Sequence, residues 1–162
     1  MQLLPFDACD DLRVDADVKR SGNRLEFTYK LSGKTADVVI PLPAPPERTD
    51  GLWQATCFEA FVSLGKSSYA ELNFAPSGQW AAYRFTNYRQ GMRQLDIEAP
   101  EIAFDDNMLT AVVEMKAETE VMLNLSAVIE RRNGSRSYWA LAHPKGNRPD
   151  FHTRDCFVAK LP

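Results

Sequence analysis

The side chains with the most chemistry in this chain fall on three consecutive candidate strands. Cys57–Leu64, Tyr69–Phe74 and Trp80–Phe85 each alternate in character, so each presents two different faces. One face collects Phe58, Ala60, Val62 and Leu64, then Ala70, Leu72 and Phe74, then Ala81, Tyr83 and Phe85. That set is apolar throughout and is the expected core. The opposite face collects Cys57, Glu59, Phe61 and Ser63, then Tyr69, Glu71 and Asn73, then Trp80, Ala82 and Arg84. Aromatic rings beside carboxylates, an amide and a guanidinium are what a polar, ring-shaped ligand needs. A tight turn after Phe74 would set Glu71 directly opposite Arg84. That pair reads either as part of a ligand face or as an ordinary cross-strand ion pair.

His143 and His152 stand in a segment broken by Pro144, Gly146 and Pro149, which makes it a loop. Eight residues separate them, a spacing that does not match zinc ligation, and no third His or Cys stands near enough to complete a metal set. The expectation is that they bond within the loop, with Asp150 orienting one of them, and that the loop reaches the rim of the ligand face. No Ser-His-Asp order, glycine-rich phosphate loop or HExxH motif occurs. Glu59 and Glu71 satisfy the minimal description of a glycosidase carboxylate pair, as any two acids on one sheet would. The site is therefore expected to bind rather than catalyse.

The elements that position these residues are almost all strands. Leu12–Val18 and Leu25–Leu31 alternate around the turn Ser21-Gly22-Asn23, and Val38–Ile40 is a short apolar run. Further strands are expected at Gln94–Ile97, Ile102–Phe104, Met108–Glu114, Val121–Glu130, Ser137–Ala142 and Phe157–Lys160, with Asn133-Gly134 as a hairpin turn. Residues 41–46 carry four prolines and predict an extended loop, which either folds over part of the sheet or merely connects. Only Ala117-Glu118-Thr119-Glu120 suggests a helical turn. Short strands, regular turns and no βαβ rhythm predict an all-β antiparallel sandwich in a single domain spanning residues 1–162.

The runs Asp50-Gly51-Leu52-Trp53, Cys57–Phe61, Tyr69–Gly78 and Trp80–Phe85, with His143-Pro144 and Asp150-Phe151-His152, resemble the bacterial DOMON-like proteins. Their superfamily includes family 9 carbohydrate-binding modules and haem-binding DOMON domains. The resemblance covers most of the chain, its specific part being residues 50–92. It implies an immunoglobulin-like β-sandwich of about eleven strands. It also implies binding, of sugars or of haem, more than catalysis. By analogy with the sugar binders, Trp53 and Trp80 are the candidate stacking pair around a sugar held by Glu59, Glu71, Asn73 and Arg84, with His143 and His152 at the rim. By analogy with the haem binders, Met92 and His143 or His152 would be the axial ligands of haem b, the alternative cofactor.

Composition sets the outer limits. The 162 residues hold 19 basic and 22 acidic side chains, a formal charge of −3, which argues against a nucleic-acid partner. Hydrophobic residues make up 44% of the chain, enough for a core, yet no run approaches a membrane span. Met1–Asp7 lacks the features of a signal peptide, and three cysteines without a CxxC leave one unpaired in any disulfide scheme. A reduced, cytoplasmic protein binding a small polar ligand, a saccharide or sugar derivative, is the resulting expectation, with a protein-interaction module using the proline-rich loop and a sheet edge as the further alternative.

Overall fold

Period-two alternation produces two-faced strands, and in the computed structural model the described residues form twelve of them, packed as a sandwich of two antiparallel sheets. The structure describes residues 1–116 and 120–162, so the helical turn expected over 117–120 falls largely outside the described residues. The strands are β1 (Leu4–Pro5), β2 (Leu12–Ser21), β3 (Arg24–Gly33), β4 (Cys57–Ser63), β5 (Tyr69–Phe74), β6 (Trp80–Phe85), β7 (Arg93–Gln94), β8 (Glu101–Asp105), β9 (Met108–Glu114), β10 (Val121–Glu130), β11 (Arg136–Ala140) and β12 (Ala159–Leu161). The smaller sheet runs β2-β3-β9-β8. The larger runs β1-β11-β10-β4-β5-β6-β7, with β12 also on β10. Residues 1–3 bond to β2 (Leu3 N–H to the Val14 carbonyl, 2.9 Å), whereas β1 pairs with β11, so the amino terminus stitches the two sheets together.

Between the sheets, Val14, Leu25, Phe27, Tyr29 and Leu109 meet Phe58, Ala60, Leu72, Phe74 and Leu125 in one apolar cluster. Phe27 lies 5.5 Å from Phe74 and Tyr29 lies 5.0 Å from Phe58, ring centre to ring centre. The Tyr29 hydroxyl, fully buried, donates to the Glu59 carbonyl at 2.6 Å, which satisfies its polar end without water.

The structure corrects the sequence reading at three places. Val38–Ile40 is not a strand; Val38 makes one isolated bridge to Arg131. The strand expected at Gln94–Ile97 is instead the two-residue β7, Arg93–Gln94, and shares only Gln94 with it. The third correction concerns β6. Phe74 pairs with Trp80 and Glu71 with Tyr83, so Trp80, Ala82 and Arg84 turn towards the inter-sheet side, and Ala81, Tyr83 and Phe85 turn outwards. The cause is the turn. Ala75 N–H bonds the Gln79 carbonyl and Gly78 N–H bonds the Ala75 carbonyl, both at 3.0 Å, with Gly78 at φ 93°. This is a type I turn closed by a left-handed glycine, a three-residue connection with a bulge. A two-residue turn would have paired Glu71 with Arg84; one extra residue inverts every side chain beyond it.

The proline-rich segment does not merely connect. Glu47–Thr49 runs parallel to the start of β6, with Thr49 N–H on the Trp80 carbonyl at 2.8 Å. Arg48 stacks 4.2 Å above the Trp80 ring and donates to the carbonyls of Ala82 and Leu95. The segment ends in a 3-10 turn, Leu52–Gln54, entered through left-handed Gly51.

Candidate functional site

At β4 and β5 the outer face of the larger sheet is as covered as the inner one: every residue of both strands is buried. Register explains which side chains meet there. Ser126 on β10, Glu59 on β4, and Asn73 and Ala81 on β5 and β6 form one row; Asn124, Phe61, Glu71 and Tyr83 form the next. The segment 149–157 lies across this face. The Asn124 amide donates to the Phe151 carbonyl at 3.3 Å, and Arg154 donates to the carbonyls of Gly65 and Ser68 at 3.1 and 3.0 Å. Phe61, Tyr69, Phe85, Val128, Phe151 and Phe157 make a second, smaller apolar cluster beneath it.

Beside that cluster the cover leaves a cleft of about 960 Å³. Its floor is Glu59, Phe61, Glu71, Tyr83 and Phe85. Its walls are the Asp50–Trp53 turn, the Arg89–Met92 loop, Tyr138, and Pro149 with Phe151 and His152. The size suits a small molecule.

Two carboxyls dominate its electrostatics. Glu59 is 3% exposed and its Oε2 accepts from Ser126 Oγ at 3.1 Å; Glu71 is 8% exposed and its Oε1 accepts from Asn73 Nδ2, also at 3.1 Å. Burial raises both acids above the ordinary carboxylate range, and for Glu59 the neighbouring charge of Glu71 adds to the effect. His152 is pushed down to about 4, first by burial and then by the Arg89 charge, so near neutrality its imidazole is uncharged. The Arg89 backbone N–H donates to the Tyr69 hydroxyl at 3.1 Å, and that hydroxyl lies 2.8 Å from His152 Nδ1. Assigning the Tyr69 proton to Nδ1 leaves the imidazole proton on Nε2, which lies 3.7 Å from Glu71 Oε2. Around the rim, Arg89 and Asp150 form an ion pair at 3.0 Å, Tyr88 donates to Asp150, and the Tyr83 hydroxyl donates to Asp50. Burial first, and then that contact with Asp50, raise the Tyr83 phenol well above its usual range.

Of the residues singled out from sequence, Trp53, Glu59, Glu71 and His152 line the cleft. Trp53 stands half exposed at the mouth. Asn73 lies under the cleft and holds Glu71. Trp80 and Arg84 are on the other side of the sheet: Trp80 is 5% exposed within the core, and Arg84 is half-buried at the sandwich margin with its Nε unpartnered. Trp80 is thus no stacking partner for Trp53, and Glu71 and Arg84 do not face each other. His143 lies outside the cleft, its Nε2 on the Leu4 carbonyl at 2.8 Å and its ring between Phe6 and Phe151. Asp150 orients the loop by accepting the His152 backbone N–H at 3.1 Å. Tyr83 and Phe85 were hidden by the parity of β6. Asp50, Arg89 and Phe151 enter through tertiary contacts that no local pattern signals.

The haem alternative does not fit these residues. Met92 lies at the cleft mouth, but His152 has one ring nitrogen on Tyr69 and the other towards Glu71, and His143 is turned away. Neither imidazole directs a free lone pair into the cleft for an iron to take. No group of three or more His, Cys, Asp and Glu among the described residues is arranged around a metal position. Cys9, Cys57 and Cys156 are all free thiols, and among the described residues no helix is long and apolar enough to cross a membrane.

No protein-family model matches the chain, and no curated protein matches it. Its fold is similar to that of a solved protein from Bacteroides uniformis ATCC 8492 for which carbohydrate binding has been proposed. The TM-score is 0.68 at 15% sequence identity, covering 99% of this chain and 84% of that one. A likeness at that identity establishes the shared sandwich architecture.

Proposed function

We propose that the cleft on the outer face of the larger sheet binds a small saccharide or sugar derivative without chemically altering it. The observation that carries this reading is the meeting, in one cleft, of a half-exposed indole and two phenols with two buried carboxyls. Aromatic faces stack on the C–H faces of a pyranose while acids and amides take its hydroxyls. The resemblance to DOMON-like proteins and the proposed role of the Bacteroides neighbour support the same ligand class. Binding is placed ahead of catalysis because two carboxyls on one sheet face meet only the minimal description of a glycosidase pair, and no further catalytic motif accompanies them.

A panel of mono- and disaccharides read by melting temperature tests the reading, with Trp53→Ala as the reporting variant. At least one sugar should stabilise the wild type. Trp53→Ala should melt as the wild type does yet bind that sugar more weakly by about 1–3 kcal/mol, because only the ligand loses a stacking surface. Full affinity in Trp53→Ala would remove the cleft mouth from the site.

A further inference from the structure

No Lys or Arg among the described residues is bonded to either carboxyl of the cleft. Ser126 reaches only Oε2 of Glu59, and among the described residues nothing donates to Oε1. Glu71 receives Asn73 on one oxygen and faces an uncharged imidazole with the other. Arg89 is the only Lys or Arg among the described residues lining the cleft, and it is bound to Asp150. Asp50 adds a third acid to the rim, holding the Tyr83 hydroxyl. Two buried carboxyls therefore look into a small-molecule cleft without a cation bonded to either of them.

Resting on the saccharide reading above, we propose that the natural ligand carries a protonated amine seated between Glu59 and Glu71, making it an amino sugar rather than a neutral one. An ammonium offers three donors, which suits the free Glu59 Oε1 and the Glu71 Oε2 edge. Seating it there lets the buried carboxyls release their protons to solvent and stand ionised against a cation, where a neutral hydroxyl offers them no ion pair. The rings of Trp53, Tyr83 and Tyr138 add π faces of the kind that attract organic cations.

Calorimetric titration of the full chain with D-glucosamine, N-acetyl-D-glucosamine and D-glucose isolates the charge, because the first two differ by acetylation of the nitrogen. Glucosamine should bind more tightly than either neutral sugar by about tenfold or more. Glu59→Gln and Glu71→Gln should each erase that preference while still unfolding cooperatively. Neutral sugars binding as tightly as glucosamine would overturn the amine and leave the saccharide reading standing. Binding of ethanolamine or phenethylamine with none of the three sugars would keep the amine and overturn the saccharide. If none of the five binds, both fall. A preference that survives in both glutamine variants would also overturn the proposed seat.

Discussion

Glu59, Glu71 and His152 titrate against one another in their effect on the fold. Both acids have raised folded-state values, so they hold protons that the unfolded chain has already released. Their contribution to stability is present below the unfolded carboxylate value near 4.5 and is lost as pH rises through the folded values. His152 acts in the opposite sense. With its imidazole lowered from 6.5 to about 4, its contribution is present above 6.5 and is lost as pH falls towards 4. Glu59→Gln removes one ionisation and keeps the shape. In urea unfolding from about pH 5 to about pH 8, the stability of Glu59→Gln relative to wild type should rise steadily with pH. A pH-independent difference would mean that Glu59 is ionised without cost. Residue type was a sound guide here: the acids, the amide and the histidine were legible as unusual company on a sheet face. Their partners Ser126, Tyr69 and Arg89 were not legible as partners, because each bond joins residues far apart in the chain.

Most strands could be read directly, since alternation marks β2 to β6 and β9 to β11 clearly. The shortest, β1, β7 and β12, depend on neighbours for their pairing and carry little pattern of their own. What alternation cannot supply is phase across a loop. The bulged turn at Pro76-Ser77-Gly78 sets the phase of β6, sending Trp80 inward and Tyr83 to the cleft. Trp80→Ala tests that phase. Removing a large side chain that packs in the core beneath Arg48 should cost about 3–5 kcal/mol in chemical denaturation. An exposed platform would cost far less. A loss below about 1 kcal/mol would return Trp80 to the outer face and with it the two-residue turn.

At the scale of the molecule, the larger sheet works on both sides: the smaller sheet closes one face, and the 149–157 segment closes most of the other. An ordinary wet face would be lined by Lys, Glu and Thr, and the sequence of β4 and β5 already departs from that. Which loop covers it follows from contacts such as Tyr69 to His152 and Arg89 to Asp150, which span 83 and 61 positions. The molecule offers a second groove of about 480 Å³ along Asp7, Cys9, Asp11, Arg131 and Arg136, where Arg131 is bound to Asp11 at 2.8 Å. Amide and indole chemical-shift mapping of the full chain, titrated with the sugar that most raises its melting temperature, chooses between the two. Saturable shifts should gather at Trp53, Phe61, Glu71, Tyr83, Phe151 and His152 and leave the second groove still. Shifts that saturate along Asp7–Asp11 and Arg131–Arg136 instead, with the cleft unmoved, would contradict the account.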